Sequence, residues 1–105
     1  MVSVIQRTTV APVVDREYLW TDVGRRTALY ARVDPDEVVQ ALYAPEEMRY
    51  EQPLGDALVM VMGMADSGRV IMIMCESVER TTRYRILNVR PAAGAELDEW
   101  RRRVL

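Results

Sequence analysis

The stretch GRVIMIMCESVERTTRYRILNVRP, residues 68–91, decides the fold. Two apolar runs flank Glu79-Arg80-Thr81, and both alternate with a period of two, the pattern of a strand with two distinct faces. The first strand, placed at 69–77, sets Arg69, Ile71, Ile73 and Cys75 against Val70, Met72, Met74 and Glu76. The second, at 82–90, sets Arg83, Arg85, Leu87 and Val89 against Tyr84, Ile86, Asn88 and Arg90. So short a connection forces an antiparallel pair, because a parallel neighbour needs a crossover of roughly a dozen residues.

Working upstream, Pro53-Leu54-Gly55 and Asp66-Ser67-Gly68 are turn signals that bound two more strands, near 47–52 and 56–64. The sheet expected is a β-meander of about four strands. Strand 56–64, DALVMVMGM, is apolar on both faces, with Leu58, Met60 and Met62 on one and Val59 and Val61 on the other. Either a second layer of this chain covers the outer face, or that face is a homodimer or partner surface, for which flexible methionines are suited.

Two helices precede the meander. Thr21 and Asp22 are good capping residues for a helix over about 22–32, weakened by Gly24. Asp34-Pro35-Asp36-Glu37 opens a second one, with a capping Asp, Pro at the first helical position and Glu three residues after the cap. Val38, Val39, Leu42 and Tyr43 fall together on its expected inner face, and Pro45 closes it near Ala44. After Pro91, Leu97, Trp100, Arg101 and Val104 recur at helical spacing over about 94–104, with acidic residues early and arginines late, as the helix dipole favours. The fold class expected is therefore α+β: two N-terminal helices and one C-terminal helix packed on the meander. Residues 1–16, rich in Val and Thr and broken by Pro12, read as an extended or flexible arm, and 17–105 as a single domain.

The totals narrow the chemistry. A chain of 105 residues is one domain by length, and a net charge of −2 with a pI near 5.2 confines any RNA contact to a local patch. Lysine and histidine are absent and all 14 basic residues are arginine, a skew that a GC-rich genome accounts for. That composition removes the side chains most often tuned for proton transfer near neutral pH. One cysteine excludes an intrachain disulfide, and without histidine the common Cys/His zinc arrangements are excluded too. The apolar runs are too short to span a bilayer and the N-terminus lacks a secretory pattern, so a cytoplasmic protein with no membrane partner is expected.

Guanidinium groups projecting from neighbouring strands can grip a phosphate by paired N–H donors. Spacing alone favours the other reading, in which the arginines are edge charges paired with Glu76 or Glu79 that discourage aggregation. Tyr84 is an acid or base if an arginine lowers its pKa, and otherwise a packing residue with its hydroxyl at the rim. Cys75 reads as a buried small hydrophobe. Phosphate loops, nucleophile elbows and carboxylate pairs spaced for a metal are missing from the sequence.

Four motifs taken in order resemble the BrnT-like branch of the RelE superfamily, the toxin halves of bacterial type II toxin–antitoxin pairs. They are LWTD (19–22), VDPDEVVQALYAP (33–45), GMADSGRVIMIM (63–74) and RILNVRPAAGAELDEW (85–100), covering about residues 17–103. The resemblance implies a RelE-like fold and a metal-independent ribonuclease, without cofactor, that cuts mRNA to inhibit translation and is occluded by a cognate antitoxin. It makes Arg69, Arg85 and Arg90 the candidate catalytic residues, neutralising charge on a phosphate attacked by a ribose 2′-hydroxyl. Tyr84 and Arg83 are the accompanying substrate-binding candidates. Where this family commonly shows Lys-His-Gly before the second helix, this chain has Tyr30, Ala31 and Arg32, and Met64 and Ala65 replace a more polar pair. The alternative is thus a catalytically inactive homologue serving as a dimer-forming or antitoxin-binding module. Convergence of Arg69, Arg85 and Arg90 in one open pocket separates the two.

Overall fold

The computed structural model describes residues 16–104. In chain order the elements are β1 (Glu17–Trp20), α1 (Asp22–Tyr30), α2 (Pro35–Leu42), a 3-10 turn (Glu46–Met48), β2 (Arg49–Pro53), β3 (Leu58–Met64), β4 (Val70–Ser77), β5 (Arg83–Pro91) and α3 (Gly94–Val104). They form an α+β domain with a five-stranded mixed sheet, ordered β1-β5-β4-β3-β2, and three helices. Strands β2 to β5 are the expected antiparallel meander. The arm through Asp15 lies outside the described residues.

The fifth strand corrects the simple meander. Tyr18, Leu19 and Trp20 belong to β1, which runs parallel to β5 with Tyr18 opposite Tyr84 and Trp20 opposite Ile86. A parallel pair needs a long crossover, and everything from α1 to β4 supplies it. Farther along β5, pairing with β4 slips by one residue: Met74 faces Asn88 while Cys75 faces Ile86, leaving Leu87 as the extra residue of a bulge.

Two apolar layers sandwich the sheet. On one face Val59, Val61, Ile71, Ile73, Cys75, Ile86 and Val89 pack with Ala28 of α1 and with Val38, Ala41 and Leu42 of α2. On the other, Met62, Val70 and Met72 pack with Trp100 of α3, joined by Leu97 and Val104. Full burial of a side chain such as Ile71 or Ile73 contributes about 1.5–3 kcal/mol relative to exposure. The strand that looked apolar on both faces therefore has a helix behind each of them at its C-terminal end. At its N-terminal end Leu58 is partly exposed and Met60 half-buried.

The helices sit close because glycines let them. A Cβ on Gly24 of α1 would lie 2.2 Å from the Ile86 carbonyl oxygen of β5, and one on Gly63 of β3 would lie 2.1 Å from the Ala41 carbonyl oxygen of α2. Gly24 lowers intrinsic helix propensity, yet it is what permits α1 to seat on the sheet. α2 is also turned slightly from the expected face. Glu37, Val38, Ala41 and Leu42 are buried, whereas Val39 and Tyr43 are exposed.

Candidate functional site

Arg69 sits just after the Asp66-Ser67-Gly68 turn, on the side of the sheet that Ile71 shares with α2. Its Nε donates to Glu37 Oε2 at 3.0 Å and its Nη2 to Glu37 Oε1 at 2.6 Å, with a further bond from Nη2 to the Arg32 carbonyl at 2.9 Å. Ser67 Oγ donates to the same carboxylate at 2.6 Å, and Glu37 closes the capping box by accepting from the Asp34 amide at 3.1 Å. Arg69 above all, then Ser67, pulls the Glu37 carboxyl down to about 2 against the opposing effect of burial. The guanidinium is thus a clasp from the start of β4 to the start of α2.

Arg90 is opposite Met72 and so points to the other face. Both of its terminal nitrogens reach Glu96 of α3, Nη2 to Oε1 at 2.7 Å, and Glu96 also accepts from the Ala93 amide at 3.2 Å. The Arg90 contact lowers the Glu96 pKa. Arg85 lies 3.9 Å from Glu76, its cross-strand neighbour, and Arg83 lies 3.0 Å from Glu17, its partner in β1. The β4 partners of Arg90 and Arg85, Met72 and Glu76, are four residues apart, which separates the two arginines by about 13 Å along the sheet. The expected gathering of Arg69, Arg85 and Arg90 in one basic pocket is not what the sheet delivers, because strand alternation sends Arg69 and Arg90 to opposite faces. Tyr84 is buried on the α1–α2 side, with its ring 5.7 Å from that of Tyr18 and under the Arg16 guanidinium at 4.8 Å.

Arg16, assigned to the arm by its sequence position, is buried and anchored in the domain. It meets Glu51 of β2 through two bonds of 2.6 and 2.8 Å, donates to the Tyr18 hydroxyl at 3.0 Å, and its carbonyl accepts from the Tyr43 hydroxyl at 2.9 Å. Because β1 and β2 are the two edges of the sheet, this pair shows that the sheet curls around the α1–α2 core. Burial pushes the Tyr18 hydroxyl up to about 12, with Arg16 opposing, and burial also pushes the Cys75 thiol up to about 12. Neither group is poised for proton transfer at neutral pH, which agrees with structural roles.

Among the described residues, the arginines without a carboxylate partner lie on α1 and just after it. Among the described residues every other arginine has an acidic partner within 4.0 Å, and Arg25, Arg26 and Arg32 have none. Arg25 lies over the Trp20 ring at 5.6 Å. Beside them Leu29 is 79% exposed and Tyr30 92%, with Val23 at 52%. A hollow of about 410 Å³ runs between α1 and the start of α2, lined by Trp20, Arg25, Leu29, Arg32, Val33 and Pro35 among others. A second hollow of about 390 Å³ lies on the other side of Leu29 and Arg32.

The reason is local. α1 seats on β5 through small residues, Gly24, Thr27, Ala28 and Ala31, at helical spacing. Thr21 Oγ1 donates to the Ile86 carbonyl at 2.6 Å and Thr27 Oγ1 accepts from the Val89 amide at 2.9 Å. These bonds occupy the β5 edge where β1 has ended and the bulge begins. With the small residues inward, the large apolar ones must face out. Arg32 adds a backbone signal: its φ is +57°, a left-handed conformation that glycine adopts without cost and a side-chain-bearing residue does not. By propensity and capping α1 is an ordinary weak helix, although the mismatch between its small-residue seam and Leu29-Tyr30 is visible in DVGRRTALY.

Neither a protein-family model nor a curated protein sequence matches the chain. A guanidinium trio without carboxylate partners among the described residues, beside exposed aliphatic and aromatic side chains, is chemically suited to an anionic, partly apolar surface.

Proposed function

We propose that this chain is the toxin-like member of a bacterial type II toxin–antitoxin pair, built on a RelE-like scaffold of the BrnT-like branch, and that it works as a protein-binding module without ribonuclease activity. The motif order of residues 17–103 and the helix-backed meander support the scaffold assignment. The engagement of Arg69 by Glu37 and of Arg90 by Glu96, on opposite faces of the sheet, carries the non-catalytic reading. Charge building on a scissile phosphate needs preorganised donors aimed at one point. Here Arg69 and Arg90 are each hydrogen-bonded to a neighbouring carboxylate, Arg85 lies 3.9 Å from Glu76, and Tyr84 is enclosed.

The test is inducible expression of the chain alone and together with the neighbouring small open reading frame. Normal growth with intact RNA, and co-purification of the two products, is the expected result. Growth arrest with mRNA cleavage that Arg90→Ala abolishes, or the absence of a complex, overturns the proposal.

A further inference from the structure

We infer that the exposed face of α1, with the hollow between Trp20 and Pro35, is the docking surface for an acidic amphipathic helix of a partner protein; this rests on the binding-module reading above and assigns that module its contact face. Charge decides the sign of the partner. The chain as a whole is acidic, yet Arg25, Arg26 and Arg32 stand together without a carboxylate among the ion pairs of the described residues. Asp22 at the start of α1 and Asp34 at the start of α2 flank the patch, and neither is within ion-pair distance of the three. A surface that leaves three guanidiniums unanswered complements a negatively charged binder.

Apolar content decides the class of partner. Leu29, 79% exposed, lines both hollows, and Val23, 52% exposed, lies one heptad before Tyr30 on the neighbouring side of α1. Exposed apolar side chains beside two hollows fit leucines presented at every third or fourth position of a helix lying along α1. Bases of a single-stranded RNA stack on aromatic faces and have little use for Leu29 or Val23. Tyr30, next to Leu29, suits the rim of such a contact, where its hydroxyl stays in water. The left-handed backbone at Arg32 holds the third guanidinium at the junction of both hollows, at a position where glycine would be conformationally cheaper.

The experiment is fluorescence anisotropy with the full chain and three probes: a leucine–glutamate amphipathic helical peptide, the same peptide with lysine in place of glutamate, and a single-stranded RNA of similar length. The expected result is saturable binding of the glutamate peptide only, weakened about tenfold or more by Arg26→Glu and by Leu29→Ser, and reduced by added salt. Both substitutions fall on exposed positions, and an unchanged thermal melt shows that the variants fold. No saturable binding of the glutamate peptide, equal binding of the lysine peptide, preference for the RNA, or indifference to both substitutions overturns the inference. A complex with the neighbouring gene product that ignores Arg26→Glu and Leu29→Ser removes this docking face while leaving the proposed function standing. Peptide binding without any such complex does the reverse.

Discussion

Arg69 and Arg90 leave the sheet on opposite faces, and each ends in a two-point ion pair with a glutamate of the helix that covers its face. Glu37 and Glu96 each lie in the first turn of a helix and also accept a backbone N–H there, so each clasp joins a strand end to a capped helix start. Such contacts hold the layers in register, a role that competes with gripping a substrate.

The Glu37 clasp has a pH signature. Its carboxyl lies at about 2 in the folded chain against 4.5 for the ordinary group. A depressed carboxylate contributes stability that is fully present above the unfolded value and is lost as pH falls through the window from about 4.5 to 2. Arg69 is 39% exposed, so screening limits the contribution to about 1–2 kcal/mol. Urea unfolding at successively lower pH is expected to show that loss in the wild type. In Glu37→Gln the stability is lower at neutral pH and the curve flatter across that window; an unchanged slope contradicts the clasp.

The glycines give a second test. Gly63→Ala places a methyl against the Ala41 backbone, where no flexible side-chain end can move aside, and is expected to cost about 1–3 kcal/mol or more. Gly55 has φ +137° with open space around it, so alanine there meets backbone strain alone and costs about 1 kcal/mol. Chemical denaturation of the two variants should rank them in that order. Equal costs would show that α2 does not approach β3 as closely as described.

The buried pair across the curled sheet predicts non-additivity. Glu51→Leu strands the buried Arg16 guanidinium at a cost of about 3–5 kcal/mol, whereas Arg16→Leu leaves the half-buried Glu51 carboxylate with Arg49, 3.7 Å away, and costs less. The double variant removes both charges and is expected to be more stable than the sum of the single losses implies. A double-mutant cycle by urea unfolding reads the coupling directly, and a coupling near zero would dissociate Arg16 from Glu51.

The sequence carried the meander because β2 to β5 are joined by short Gly-, Pro- and Ser-containing turns and alternate cleanly. It also carried α3, whose Leu97, Trp100 and Val104 all pack inward, and the capping box of α2. β1 was hidden because four residues beside a helix cap look like the lead-in to that helix, and the strand they pair with lies at the far end of the chain. The exposure of Val39 and the burial of Glu37 depend on how α2 rotates to meet Gly63 and Arg69, a tertiary fact beyond helical periodicity. Alternation already implied that Arg90 and Arg85 lie on different faces of an unbroken strand; the bulge at Leu87 returns them to the same face, and no local pattern announces a bulge. The α1 patch was legible only as an absence, since an arginine's partner is settled by the fold and three among the described residues have no carboxylate partner.

RNA cleavage by the purified chain tests the central claim most directly. Wild type, Arg69→Ala and Arg90→Ala are incubated with an unstructured mRNA fragment and the products resolved by length. The account predicts that the RNA stays intact with all three proteins. Cleavage by the wild type that falls about a hundredfold or more in either arginine variant would contradict it.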